Sequence, residues 1–126
     1  IFIFFAQTLN KETAVVTDND GNIEAVKKKY KEYEEIQCIH ICVDEVVDTG
    51  DLKLSGKDFN YNTLEPKILK ENGREAMNNI FGTNYDTDDE MHKYMHAHKT
   101  DCAIAIFESA TKIKYPEYIM RAIKNE

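Results

Sequence analysis

The stretch Ala14-Val15-Val16-Thr17-Asp18-Asn19-Asp20-Gly21 leaves the chain around it few choices. Ala14, Val15 and Val16 form an apolar run of the kind that fills a central parallel strand, and the run stops abruptly at two carboxylates. In extended backbone, residues two apart point to one face, so Asp18 and Asp20 are expected to leave the strand tip on the same side. Gly21 permits a sharp turn into a helix beginning near Asn22. Open α/β sheets keep their ligand sites at the carboxyl ends of such strands. Like charges held there need a counter-ion, and an all-oxygen donor set suits Mg²⁺ or Mn²⁺.

The rest of the chain reads outward from this strand. Residues 1–9 fit the last turns of a buried helix closed by Asn10, because a strand there would leave only three or four residues before the next. After the 13–17 strand, Ile23, Val26, Tyr30 and Tyr33 recur at helical spacing, with Lys27, Lys28 and Lys29 turned outward as a solvated face. Residues 36–43 read as a second strand, with Ile39, Ile41 and Val43 on one side and Cys38, His40 and Cys42 on the other. That Cys-x-His-x-Cys row is too extended for one zinc ion, since alternate residues on a strand lie about 6.6 Å apart. Buried packing explains it better.

Residues 44–61 are rich in turn formers and read as a long loop. From there the pattern turns helical. A helix starts at Thr63-Leu64-Glu65-Pro66 and closes at Asn72-Gly73; a short one covers 75–81 and ends at Gly82. Thr87 with Glu90 is a capping box, opening a helix whose buried stripe would be Met91, Tyr94, Met95 and His98. The run 102–107 is read as a buried helix N-capped by Thr100, with Asp101 at its positive end. Tyr115-Pro116 opens a last helix with Ile119, Ala122 and Ile123 inward. The expected architecture is α/β: a short parallel sheet flanked by helices, with a helical C-terminal half.

The 126 residues suffice for one domain, and a net charge of −7 is wrong for binding nucleic acid by bulk electrostatics. It suits a module that sets metal ions against its own carboxylates. Three cysteines in no framework spacing point to a reducing, cytoplasmic setting. No run approaches the ~20 apolar residues of a membrane span, and no signal peptide is evident. A start without Met, inside a hydrophobic run, suggests a fragment of a longer protein.

Four residues carry the chemistry: Asp18, Asp20, Glu65 and Lys99. Glu65 is a carboxylate at a helix start, reached through the long loop; Lys99 borders a helix N-terminus, where backbone N–H groups favour anions. The segments 13–22 (TAVVTDNDGN), 62–73 (NTLEPKILKENG) and 98–109 (HKTDCAIAIFES) resemble, in order and spacing, the Toprim nuclease domain of the OLD-family ATP-dependent endonucleases. The second and third are the more specific, and together they extend the resemblance over nearly the whole chain. The resemblance implies that Asp18 and Asp20 are a metal-binding Asp-x-Asp pair and that Glu65 is an additional metal-site acid. It implies that Lys99 stabilises the transition-state phosphate or orients the nucleophile. It further implies two Mg²⁺ or Mn²⁺ ions and hydrolysis of DNA phosphodiesters. ATP would be used only by a separate ATPase domain of the full-length protein, in a phage-defence setting, with homodimerisation a further option. The family's first acidic motif, a Gly-rich strand-to-helix turn carrying glutamate, would fall before Ile1, so the chain would lack its first strand–helix unit. No phosphate-binding Gly-x-x-x-x-Gly-Lys-Ser/Thr occurs.

Two other readings compete. Asp18 could be the nucleophile of a haloacid-dehalogenase-type phosphatase, with Asp88-Asp89 as the later acidic pair, although those two also suit a helix start. The chain could instead be a non-catalytic Toprim-like interaction domain. An EF-hand is excluded, because counting back from Gly21 puts Val16 where the loop needs Asp. His92 and His96, four apart on a helix, lack a carboxylate at the right phase for a metal. Cys102 has no base at a suggestive position, so it reads as a small hydrophobe.

Overall fold

Thr13–Thr17 forms β1, with the bounds its composition predicts, in a computed structural model that describes residues 2–124. Two compact units make up the chain: Ile1–Asp48 with Pro116–Glu126, and Thr49–Tyr115. The fold class is mixed α/β, with seven helices among the described residues and a two-stranded parallel sheet.

In the first unit, α1 (Phe2–Thr8) precedes β1, as expected of this segment; Ile1 lies outside the described residues. Next come α2 (Ile23–Tyr30), a 3₁₀ turn at Lys31–Tyr33, β2 (Ile39–Val43) and, from the end of the chain, α7 (Glu117–Lys124). β1 pairs with β2 in parallel, Thr13 opposite Ile39 and Thr17 opposite Val43. The expectation of a central strand is corrected. Among the described residues β1 has β2 as its one neighbour, and Ala14 and Val16 lie on an exposed face. Branched residues favour a strand without dictating how many neighbours it has.

β2 begins three residues later than the apolar run suggested, because a turn from Ile36 to Ile39 comes first. Cys38, Ile39, Cys42 and Val43 are all buried, so apolar packing occupies both sides of this segment. His40, half-buried, places its Nε2 2.9 Å from the Glu12 carboxylate instead of joining the cysteines. α7 turns Tyr118 and Ala122 inward, and Ile123 is exposed. The expected Ile119-Ala122-Ile123 face is therefore rotated by about one residue: Tyr118 is the larger apolar body and its hydroxyl finds a part-buried partner in Asp18.

The second unit is built from α3 (Leu64–Asn72), α4 (Arg74–Phe81), α5 (Asp88–Ala97) and α6 (Lys99–Glu108). Its core is Ile68, Leu69, Met77, Met91, Met95 and Cys102. Gly73 and Gly82 adopt φ of +84° and +66° where α3 and α4 end, conformations that cost glycine nothing. The capping box of α5 forms in full, Thr87 accepting from the Glu90 N–H and the Glu90 carboxylate reaching back.

The long loop 44–61 contains a short hairpin, β3 (Lys53–Leu54) with β4 (Lys57–Asp58), which two-residue strands made invisible in the periodicity. Phe59 and Tyr61 follow it and pack against His92, with ring centroids 5.0 and 5.3 Å away. This corrects the stripe of α5. His92 is buried beneath the aromatic pair, while His98 is exposed and stacks on Tyr94 at the break between α5 and α6.

α6 is a helix as predicted, but its first residue is Lys99, and its N-cap is His98 rather than Thr100. It is also not buried. The apolar run 102–107 wraps the whole helix circumference, and one side alone meets the core. Cys102 goes in; Ile104 and Phe107 stand 50% and 90% exposed.

His92 carries a buried Nδ1 without a hydrogen-bond partner. Burial holds the imidazole below its ordinary pKa of 6.5, against the opposing pull of Asp88 and Asp89. The unfolded chain therefore takes up the proton more readily than the folded one. Stability present above about pH 6.5 is expected to fall as the pH drops below that value. Urea unfolding at pH 7.5 and pH 5 checks this. His92→Phe, which removes the orphaned nitrogen but keeps a ring, should lose less stability on acidification than the parent chain.

Candidate metal and phosphate site

The tip of β1 is a turn, not a continuation of extended chain. Asp20 has φ +50° and Gly21 φ +82°, so the simple alternation expected to align Asp18 with Asp20 ends at Thr17. The residue between them dictates the shape. Asn19 is fully buried, and its Oδ1 accepts the Gly21 N–H at 2.7 Å, closing an Asx turn. Its Nδ2 donates to the carbonyls of Val46 at 2.8 Å and Asp44 at 3.2 Å, in the segment following β2. One side chain thus ties together the carboxyl ends of both parallel strands. Asn22 then caps α2 by accepting the Ala25 N–H at 3.0 Å.

Within this frame Asp18 accepts a hydrogen bond from the hydroxyl of Tyr118 at 2.8 Å. The phenol is buried in α7, so it orients the carboxylate from beneath. Asp20 is exposed on the left-handed turn, a conformation that Asp tolerates better than most residues. Asp44 follows β2 as Asp18 follows β1; it is buried, and its Oδ1 accepts the Val46 N–H at 3.1 Å.

Glu65 and Lys99 lie in the helical unit. Glu65 is in the first turn of α3 and Lys99 opens α6. The Lys99 Nζ stands 3.9 Å from Glu65 Oε1, a long ion pair with the lysine half-exposed. Such a pair is worth little in stability, which leaves the ammonium available to an anion. Asp88 and Asp89, the acidic pair of the phosphatase reading, lie in the first turn of α5, and Asp88 pairs with Arg74 at 2.8 Å. Burial pushes the Cys102 thiol up to about 11, with the charges of Asp101 and Glu65 adding to the effect, so it is a poor nucleophile at neutral pH.

The structure thus keeps Asp18 and Asp20 on one turn and sets Glu65 beside Lys99. Among the described residues no three Asp, Glu, His or Cys side chains gather as a metal cage. Mg²⁺ does not require one: it keeps several waters and commonly binds one or two carboxylates together with substrate phosphates. The hard oxygen donors of Asp18 and Asp20 fit that habit. Sequence reasoning missed Asn19, Asp44 and Tyr118. The Asx-turn pattern of Asn19 and the position of Asp44 after an apolar run were both visible; Tyr118, a hundred residues from Asp18, left no signal. No family model matches the chain, and no curated protein or solved structure matches it.

Proposed function

We propose that the chain is a divalent-metal-dependent DNA endonuclease domain of the Toprim type, of the kind that serves OLD-like ATP-dependent nucleases in phage defence. The observation that carries this reading is the carboxylate turn at the end of a parallel strand, held by a fully buried asparagine. Holding two like charges on one short turn at the place where α/β sheets bind ligands costs conformational freedom and mutual repulsion, and a cation with a phosphodiester accounts for that cost.

Asp18 and Asp20 would hold the cations, Asp18 in the orientation set by Tyr118. Divalent ions, when bound, would supply activation of water and neutralisation of charge on the phosphate. Glu65 takes the role of an additional metal acid from the resemblance, and Lys99 that of a point charge where negative charge accumulates. The ATPase domain and ATP belong to the full-length protein that this reading implies.

Supercoiled plasmid incubated with the protein and Mg²⁺ or Mn²⁺ is expected to be nicked or linearised, and EDTA should prevent it. Lys99→Ala should lower the rate about 10²–10³-fold, the usual loss when one group stabilising a developing charge is removed. Undiminished nicking in this variant would remove Lys99 from the site; absence of any metal-dependent cleavage would reject the function.

A further inference from the structure

The chain's charge is −7 overall, yet Lys27, Lys28, Lys29 and Lys31 place four of its sixteen basic residues within five positions. Lys27 is neutralised by Glu45 at 3.4 Å. Among the described residues, Lys28, Lys29 and Lys31 have no carboxylate within ion-pair distance. A charge-complementing role at the end of α2 explains lysines there. It does not explain the two depressions they border.

The first is a pocket of about 250 Å³ lined by Asn19, Asp20, Asn22, Val26, Lys29 and Tyr30, so it opens directly beside the carboxylate turn. It is smaller than the usual drug-sized cavity and suits a single flat ring system. The Lys29 ammonium lies 5.3 Å from the centroid of the Tyr30 ring, a cation resting on the aromatic face. The second depression shares Lys29 and is lined also by Lys28, Lys31, Glu32 and Glu35. Three lysines against two glutamates leave it positive on an acidic protein. The two depressions share Lys29, so the acid, the aromatic ring and the lysines border adjoining hollows beside α2 and the turn that follows it.

Resting on the nuclease reading, we propose that these two hollows together form a track for an unpaired DNA strand. One base enters the pocket beside Asp20 and stacks on Tyr30, and the neighbouring phosphate passes to Lys28, Lys29 and Lys31. A base held in a pocket must be out of the double helix, so the substrate is a single strand, a flap or a frayed end rather than intact duplex. Lys29 leaves the ring for the phosphate when the base arrives. The net negative charge of the protein then acts as a filter, because a contact made by stacking survives where bulk electrostatics fails.

Binding measured without turnover tests this separately from cleavage. Fluorescence anisotropy of a labelled twelve-nucleotide single strand is recorded with the 126-residue chain, in EDTA and at low salt. The single strand should bind more tightly than the matching duplex. Tyr30→Ala should weaken it about tenfold, and Tyr30→Phe should keep the affinity. An oligonucleotide of abasic sites should lose the same factor on the parent chain and nothing further on Tyr30→Ala. Replacing Lys28, Lys29 and Lys31 together by Gln should flatten the salt dependence by about two units of slope. Equal binding of duplex and single strand, or indifference to Tyr30→Ala in a variant with an unchanged unfolding midpoint, overturns the track even if plasmid is cut. Tyr30-dependent binding by a chain that never cuts plasmid keeps the track and rejects the nuclease.

Discussion

Asp20→Asn is expected to lower metal-dependent plasmid cleavage about 10²–10³-fold while shifting the folding free energy by less than about 1 kcal/mol. The choice of asparagine follows from the backbone. Asp20 sits at φ +50°, where a residue with a plain Cβ pays roughly 1–2 kcal/mol and Asn or Asp pays much less. Alanine would mix backbone strain with loss of charge; asparagine removes the charge alone. Millimolar Mg²⁺ is expected to raise the melting temperature of the parent chain, since a cation that binds only the folded state stabilises it by mass action, and the same variant should lose that rise. Cleavage and Mg²⁺ stabilisation both unchanged in Asp20→Asn would show that the exposed acid of the turn holds no cation.

The elements that were readable from sequence are those whose signals are local. β1 needed only its branched run and the acids that end it. α5 needed Thr87 and Glu90, three residues apart and forming the box their spacing implies. Gly73 and Gly82 stop helices for a reason that lies in one residue's φ. What was hidden depends on partners distant in the chain. The apolar run 102–107 does not say how many of its sides will meet a neighbour, so a helix with Phe107 in solvent looks the same as a buried one. His92 and His98 are both plausible on the inner face of α5, and Phe59 and Tyr61, arriving from a hairpin with two-residue strands, decide between them. The site divides in the same way: Asp18 and Asp20 are legible in the sequence, whereas the hydroxyl that orients Asp18 comes from Tyr118.

Asn19→Ala is expected to cost about 3 kcal/mol of stability, more than any change at the acids on either side of it. The substitution removes a fully buried side chain that makes three hydrogen bonds: it accepts from the Gly21 N–H and donates to the carbonyls of Asp44 and Val46. Each such bond contributes on the order of 1 kcal/mol net, and a buried group left without its partner costs about 1–3 kcal/mol. Against a typical total of about 5–15 kcal/mol, that is a large fraction. Urea unfolding followed by circular dichroism reads it directly. Asn19→Asp sharpens the test, since the carboxylate can still accept from Gly21 but would face two carbonyl oxygens with no proton to give. It should be at least as damaging as alanine, although it is nearly isosteric and adds an acid to a turn already bearing two. If Asn19→Asp were neutral, the turn would not depend on donation to the segment after β2. If Asn19→Ala cost less than about 0.5 kcal/mol, the carboxylates would be standing on a loop that the sheet does not hold.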